Sequence, residues 1–226
     1  MKPTSYPCPL PGGASASELA LVFDQGRACR VLIAPALFDE ANRMRRFTVE
    51  VMRRLDGAGI DSFFPDLPGC NESERDLTTV EPEDWRMALE SAAHHFRATH
   101  VLALRGGGLI IPDKLPGWHF GPVKGASLIK TLLRARIISA REAGVEENAA
   151  QLMEHGREHG LDLAGYSLSA EMLRQLDQAT APQRGNLIPI DQETIGGSPL
   201  WLRAEPDDDP AQEDALAAVL AVGLAA

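Results

Sequence analysis

The feature that most constrains the fold is the repeated alternation of short apolar segments with segments of helical periodicity. The first half predicts strands at residues 18–23, 29–34, 60–65 and 101–104, and helices at residues 42–55 and 82–98. A helix between two strands returns the chain to the start of the next strand, so consecutive strands run parallel. The pattern therefore predicts a mostly parallel sheet that is flanked by helices.

The second half is less regular. Helices are predicted at residues 121–143, 145–159, 169–178 and 210–224, an apolar turn at 161–166, and short strands at 187–190 and 200–204. We expect the helices within about residues 121–180 to form a small cap over the carboxyl ends of the strands. Residues 1–17 are rich in Pro and Gly and predict an N-terminal arm. Residues 18–226 then form a single domain.

Composition excludes several classes of protein. A chain of 226 residues can bury the core of one α/β domain. Its formal net charge of −10 argues against nucleic acid or an anionic membrane as a partner. The three cysteines form no CxxC pair, which argues against a disulfide framework or a zinc site. We find no signal-peptide core and no apolar run long enough for a membrane span, and expect a cytoplasmic protein.

One strand ends in an unusual turn. The segment THVLALRGGGLII, at residues 99–111, passes from an apolar strand into three consecutive glycines. In the pattern G-x-S-x-G a nucleophilic serine lies on a strained turn after a strand, and small neighbours let the backbone pack closely. The same five positions here, residues 103–107, are called the elbow segment below. They hold the small residues, but Arg105 stands where the serine would be.

The elbow segment belongs to a longer resemblance. The chain is similar to the α/β-hydrolases, and specifically to the bacterial exosortase A system-associated hydrolases, which have arginine at this position. The segments that carry the likeness lie at residues 35–46, 66–73, 103–107, 120–136, 163–172 and 198–220. The resemblance implies an α/β-hydrolase-like fold and a role in the exosortase and exopolysaccharide system. One departure is that about nine residues separate Gly108 from Trp118, which predicts a shortened elbow helix and a weakened oxyanion hole.

The catalytic residues of a serine hydrolase are not found in their expected places. A hydrolase of this type needs a histidine after its last strand. All histidines, at positions 94, 95, 100, 119, 155 and 159, precede the last two predicted strands. We therefore predict no Ser-His-Asp triad, and interpret Cys70 as a free structural cysteine. The alternative is an ester or acyl hydrolase with an acid-base pair or a displaced nucleophile such as Ser127, Ser167 or Ser198.

A second motif matches a metal-binding signature only in its residue types and spacing. His155, Glu158 and His159 match H-x-x-E-H, the inverted zinc-peptidase signature. Gly156 weakens the helix that this motif requires, and Gly160 ends it. A solvated helix end with cationic side chains explains the same residues. We predict neither a metal nor an organic cofactor.

Charged residues follow the strands at the edge of the sheet where ligands bind in α/β proteins. The predicted ligand-binding residues are Glu40, Asn42, Arg45, Arg46, Asp66, Arg105 and Gly106. Two hypotheses fit them. Arg105 forms a structural ion pair with Asp39, Glu40 or Asp66, or it joins Arg45 or Arg46 in binding a carboxylate or phosphate.

The preferred interpretation is a hydrolase-like protein that acts by binding or as an accessory component, with no catalytic residue assigned. Its expected ligand is a small anionic molecule or an acyl- or sugar-related compound. The apolar residues 216–224 also allow a homo-oligomer, which gives a structural role as a third alternative.

Overall fold

The computed structural model describes residues 1–10 and 13–225. The strands are β1 (Lys2–Pro9), β2 (Ser15–Phe23), β3 (Arg30–Ala34), β4 (Asp61–Pro65), β5 (His100–Leu104), β6 (Gly117–Phe120), β7 (Leu161–Leu163), β8 (Tyr166–Leu168) and β9 (Leu187–Ile190). Seven of them form the central sheet, in the order β1-β2-β4-β3-β5-β6-β9. β2 runs antiparallel to both of its neighbours, and β4, β3, β5, β6 and β9 are mutually parallel. The predicted mostly parallel sheet is confirmed.

Helices cover both faces of this sheet. They are α1 (Asp39–Gly57), α2 (Pro82–His95), α3 (Gly125–Glu142), α4 (Ala149–His159), α5 (Ala170–Gln178), α6 (Gln192–Ile195) and α7 (Pro210–Ala225). Phe47 of α1 and Leu216 of α7 are buried in one apolar cluster with β5 and β6. Leu89 of α2, Leu128 of α3 and Leu173 of α5 belong to a second cluster on the opposite face. The sheet is thus enclosed by two apolar layers.

The N-terminal segment differs from its prediction. Residues 1–17, expected as an arm, contain β1 and the start of β2, which pair from Lys2↔Val22 to Pro9↔Ser15. Pro3, Pro7 and Pro9 all lie at odd-numbered positions of β1. The even-numbered residues between them keep their backbone N–H groups, which remain free to bond to β2. Proline is compatible with an edge strand of this kind because its missing N–H faces away from the ladder.

The predicted strand at residues 200–204 is wrong. Leu200–Leu202 forms a single 3₁₀ turn. Its Trp201 packs edge-on against Phe120 of β6, with ring centroids 5.6 Å apart. The large Trp201 ring is buried against the end of β6, and this contact holds the segment outside the sheet.

The connection from β5 to β6 is short. A five-residue 3₁₀ helix, Arg105–Leu109, replaces the longer elbow helix of an ordinary hydrolase, as predicted. Backbone and side chains approach this segment closely. A Cβ added at Gly106 would lie 2.8 Å from Leu128 of α3, and one at Gly107 would lie 2.5 Å from the Pro35 carbonyl oxygen. These glycines therefore let α3 and the β3 end pack directly against the turn.

The segment expected as a cap consists of α3, α4, the β7–β8 hairpin and α5. Helices α3 and α5 contribute to the apolar cluster that contains β5. The hairpin instead reaches the carboxyl ends of the strands, where Tyr166 meets Phe38 edge-on with centroids 5.2 Å apart. Within the described residues, no helix is both long and apolar enough to cross a membrane.

Candidate functional site

The elbow segment holds Arg105 in a strained backbone conformation. Arg105 follows β5 directly and has φ +50°, a region that L-residues seldom adopt. The His119 Nε2 atom lies 2.7 Å from the Arg105 carbonyl oxygen and donates to it. The His119 ring also packs over Gly108, where an added Cβ would lie 2.0 Å from Cε1. The turn is thus fixed from β6.

All three nitrogens of the Arg105 guanidinium donate hydrogen bonds. Its Nε donates to Glu40 Oε2 at 3.0 Å and its Nη2 to Glu40 Oε1 at 2.9 Å. Its Nη1 donates to the Gly121 carbonyl oxygen at 2.7 Å. The Trp201 ring covers the guanidinium at 4.1 Å from Cζ. The side chains of Arg105 and Glu40 are 12% and 11% exposed, so this bidentate pair is largely removed from water.

A chamber lies beside this ion pair, at the carboxyl ends of β3 and β4. Its volume is about 490 Å³, which falls within the usual range for small-molecule sites. The loop after β3, the loop after β4 and the β7–β8 hairpin enclose it. Its lining includes Leu37, Phe38, Asn42, Cys70, Asn71 and Tyr166. We call this space the chamber.

The chamber lining combines apolar side chains with neutral polar groups and one carboxylate. Phe38 has φ +57° and lies between Trp85 and Tyr166, both edge-on to its ring. Burial, followed by the nearby Asp39 carboxylate, raises the pKa of Tyr166 to about 12, so its phenol remains a hydrogen-bond donor. Asp76 also lines the space, and no Lys, Arg or His does so among the described residues. This lining suits a neutral ligand better than an anion.

The predicted ligand-binding residues occupy different places. Asn42 lines the chamber, whereas Glu40 is paired with Arg105. Arg45 Nη1 lies 3.2 Å from Asp66 Oδ1, and the exposed Arg46 pairs with Asp208 at 2.9 Å. Gly106 is buried under Leu37 and Leu128. The three arginines thus point to three separate carboxylates and do not converge on one anion.

Asp66 belongs to a buried polar cluster behind the chamber. Its Oδ1 accepts from Arg45 and from Asn71 Nδ2, the latter at 2.8 Å. Its backbone carbonyl accepts from the Tyr6 hydroxyl at 2.7 Å. Its Oδ2 is buried without a partner among the described residues. The cluster joins β1 to the loop after β4 and so supports the chamber wall.

Among the described residues, no histidine is hydrogen-bonded to Ser127, Ser167 or Ser198. Ser127 is exposed on α3, Ser167 donates to Asp162 at 2.5 Å, and Ser198 lies 3.3 Å from Arg203 Nη2. Burial, with the Asp66 carboxylate, raises the pKa of Cys70 to about 12, so its thiol is protonated at neutral pH. None of these contacts is the Ser-His hydrogen bond that nucleophile activation requires.

The H-x-x-E-H residues lie on the outer surface of α4. The His155 and His159 rings stack with centroids 4.6 Å apart, and the Glu158 side chain is 72% exposed. Across the described ranges, no group of three or more His, Cys, Asp or Glu residues is arranged to hold a metal ion.

Sequence reasoning missed three aromatic contributors to the site. Phe38 and Tyr166 are 128 positions apart in numbering, and no local pattern relates them. Trp201 falls in a predicted strand, although the segment SPLWLRAEP has Pro199 two positions before it, which favours a turn. Only the packing of the hairpin and the 3₁₀ turn against the ends of β3 and β6 brings these rings to the site.

Comparison with known proteins supports the fold. No protein-family model and no curated protein sequence matches the chain. A proposed hydrolase of Agrobacterium vitis S4 shares 12% identity at TM-score 0.51, over 99% of this chain and 97% of that one. Mouse alpha/beta hydrolase domain-containing protein 10 shares 10% identity at TM-score 0.50, over 100% and 97%. The chain therefore has the α/β-hydrolase fold.

Proposed function

We propose that this chain is a hydrolase-fold protein that acts by binding, without ordinary Ser-His-Asp catalysis. The observation that carries the proposal is the state of Arg105, which lies where the resemblance puts a nucleophile. Glu40 neutralises the guanidinium and Trp201 covers it. Arg105 then forms a structural ion pair with Glu40, because each of its nitrogens already has an acceptor and its charge is balanced.

The lack of a histidine after the last strand gives independent support to this proposal. An α/β-hydrolase places its histidine after the last strand of the sheet. Every histidine of this chain precedes β9, and the residues after β9 supply Trp201 next to Arg105. A serine elsewhere would lack the histidine base that an α/β-hydrolase uses to activate its nucleophile.

The proposed ligand occupies the chamber and is neutral and hydroxylated, such as a sugar-related molecule. Aromatic rings of Phe38 and Tyr166 offer apolar contact, and the amides of Asn42 and Asn71 offer donors and acceptors. The resemblance to the exosortase-associated hydrolases supports this choice, because it links the chain to exopolysaccharide metabolism. We extend the proposal to an accessory role in that bacterial system.

Covalent labelling tests the absence of an activated nucleophile. Native protein is treated with a fluorophosphonate probe and its intact mass is measured beside a heat-denatured control. We expect no adduct on the native form. A stoichiometric adduct on the native protein alone, mapped to Ser127, Ser167 or Ser198, would establish the displaced-nucleophile hydrolase instead.

Titration with 4-methylumbelliferyl β-D-glucoside tests the chamber, with ligand fluorescence and anisotropy as readouts. Asn42→Ala removes a lining amide, and loss of one hydrogen bond weakens binding about fivefold. The matched control is Arg46→Ala, one turn further along α1 and paired outside the chamber. Equal affinities in both variants and the parent, or no saturable binding, would contradict the assignment of the chamber.

A further inference from the structure

A second cavity, of about 940 Å³, lies at the β6–β9 side of the sheet. Its lining includes His119, Val123, Lys124, Arg184, Leu187 and Pro189. None of the described residues that line it also lines the chamber. We call it the edge cavity, and the proposed function makes no use of it.

The walls of the edge cavity are fixed by the sheet and by two connections. His119 pairs in register with Pro189, so His119, Leu187 and Pro189 face the same side of the sheet. The opposite wall consists of residues 122–124, before α3, and 180–185, after α5. The Gly125 N–H donates to the Ala179 carbonyl oxygen at 3.0 Å and ties these two connections together.

Arg184 holds the same wall from the other end. Its Nη1 donates to the Pro112 carbonyl oxygen at 3.0 Å, and its Nη2 contacts the Asp113 carboxylate at 2.5 Å. These contacts join the connection after α5 to the connection between β5 and β6. Arg184 is therefore a wall residue whose charge is already paired.

His119 provides an unused acceptor at the inner wall. The residue is 2% exposed, and its Nε2 must carry the proton that it donates to the Arg105 carbonyl oxygen. Burial lowers the pKa of His119, which keeps the imidazole neutral at pH 7. Its Nδ1 is then an acceptor without a partner among the described residues. This nitrogen is not among the fully buried unpartnered atoms, so it is open to the edge cavity and can accept a hydrogen bond from a ligand there.

The rest of the lining is mainly apolar, with the polar residues Thr180 and Gln183 and one cation, Lys124, for which no ion pair is found among the described residues. Pro122, Val123, Leu187 and Pro189 supply apolar surface. The Lys124 ammonium makes no ion pair with any residue that the structure describes, and the described lining contains no Asp or Glu. A ligand with a negative group near Lys124 would therefore meet a complementary charge and no like charge.

We propose that the edge cavity binds an amphipathic organic anion. The ligand has an apolar ring or short chain against the proline and leucine wall, an anionic group near Lys124, and an O–H or N–H that donates to His119 Nδ1. This ligand class differs from the neutral molecule proposed for the chamber, because the edge cavity alone of the two has a cation and an imidazole in its described lining.

The dye 8-anilinonaphthalene-1-sulfonate is the probe, since it combines a fused aromatic body, a sulfonate and an aniline N–H. Its fluorescence is titrated with the folded protein, after circular dichroism has shown that each variant is folded. We expect saturable binding that Leu187→Trp, which places a larger ring against the apolar wall beside His119, and Lys124→Glu each weaken at least about tenfold. The control Lys130→Glu makes the same charge change on α3 outside the lining and is expected to stay within about twofold.

A second readout identifies the site independently of dye brightness. The imidazole ¹⁵N resonances of His119 are followed during the titration, and Nδ1 is expected to shift as it accepts a hydrogen bond while Nε2 stays protonated. Asn42→Ala, in the chamber, leaves the dye affinity unchanged. Absence of saturable binding, insensitivity to Leu187→Trp and Lys124→Glu, or an unmoved His119 Nδ1 would each overturn the proposal. None of these results bears on the fluorophosphonate experiment.

Discussion

Arg105 remains charged in a largely buried position because each of its three guanidinium nitrogens has an acceptor and a carboxylate balances its charge. Glu40 meets two nitrogens of the guanidinium and the Gly121 carbonyl meets the third. Gly121, with φ +59°, leaves room for Trp201 to stack on the guanidinium, since an added Cβ would lie 3.0 Å from that ring. The pair is therefore a single unit, and removing one partner leaves the other charge buried and unbalanced.

Glu40→Gln tests this unit with almost no change in shape. We expect a loss of about 3 kcal/mol in the free energy of unfolding, because Arg105 keeps its charge and loses its counterion. Urea unfolding at neutral pH measures it. Glu171→Gln, in the exposed pair with Arg174, is the control and should cost less than about 1 kcal/mol. Equal losses in the two variants would show that burial of the Arg105 pair has no energetic consequence.

At the scale of elements, the short 3₁₀ helix after β5 is possible only because its glycines admit close neighbours. Gly107 faces backbone, with the Pro35 and Ala34 carbonyl oxygens at 2.5 and 2.6 Å from an added Cβ. Backbone atoms cannot rotate away as a flexible side chain can. The glycine run in the sequence is thus explained by packing between β5 and the loop after β3.

Gly107→Ala is expected to destabilise the protein by about 2 kcal/mol or more, since the methyl group must displace the end of β3. Thermal and urea unfolding give the change. The matched control is Gly57→Ala, where no atom lies within 4 Å of the added Cβ, and which is expected to be neutral or to stabilise α1 by up to about 1 kcal/mol. A Gly107→Ala protein as stable as the control would contradict the packing argument.

Comparison of the predicted and observed elements shows which of them a local sequence pattern can predict. Helical periodicity in residues 42–55 and the apolar run at residues 101–104 predicted α1 and β5 to within a few residues. β1 was missed because its prolines are typical of loops, and the outward alternation that makes them compatible with a strand depends on its pairing with β2. Periodicity reports burial of a face, whereas pairing is a non-local property.

At the scale of the whole molecule, the β9 edge of the sheet is a poor template for another strand. At the two ends of β9, the carbonyls of Asn186 and Ile190 accept from the N–H groups of Gly117 and Gly121 on the β6 side. Because backbone groups alternate in direction along a strand, those of Leu187 and Pro189 point outward. The Leu187 N–H is bonded to the Arg184 carbonyl oxygen, and Pro189 has no N–H. The outer edge of β9 therefore offers acceptors without donors, although Ile188 is 54% exposed.

Pro189→Thr supplies an outward N–H on this edge. We expect the variant to self-associate at concentrations where the parent does not, as measured by light scattering after size exclusion. Adding Ile188→Lys in the same chain should reverse the effect, because a charge on an exposed strand opposes pairing. A Pro189→Thr protein with the molar mass of the parent would show that the proline is not what protects the edge.

The sequence by itself determined the alternation of strands and helices from β2 to β5, the mostly parallel sheet, the arginine at the turn after β5 and the lack of any histidine beyond position 159. These follow from periodicity and from which side chains are present at all. Tertiary structure decided that Arg105 is paired with Glu40, 65 positions away, and that Phe38 and Tyr166 enclose a common space. It also placed His119 at the wall of the edge cavity. Contacts between distant residues arise from the packing of whole elements, and no local spacing encodes them.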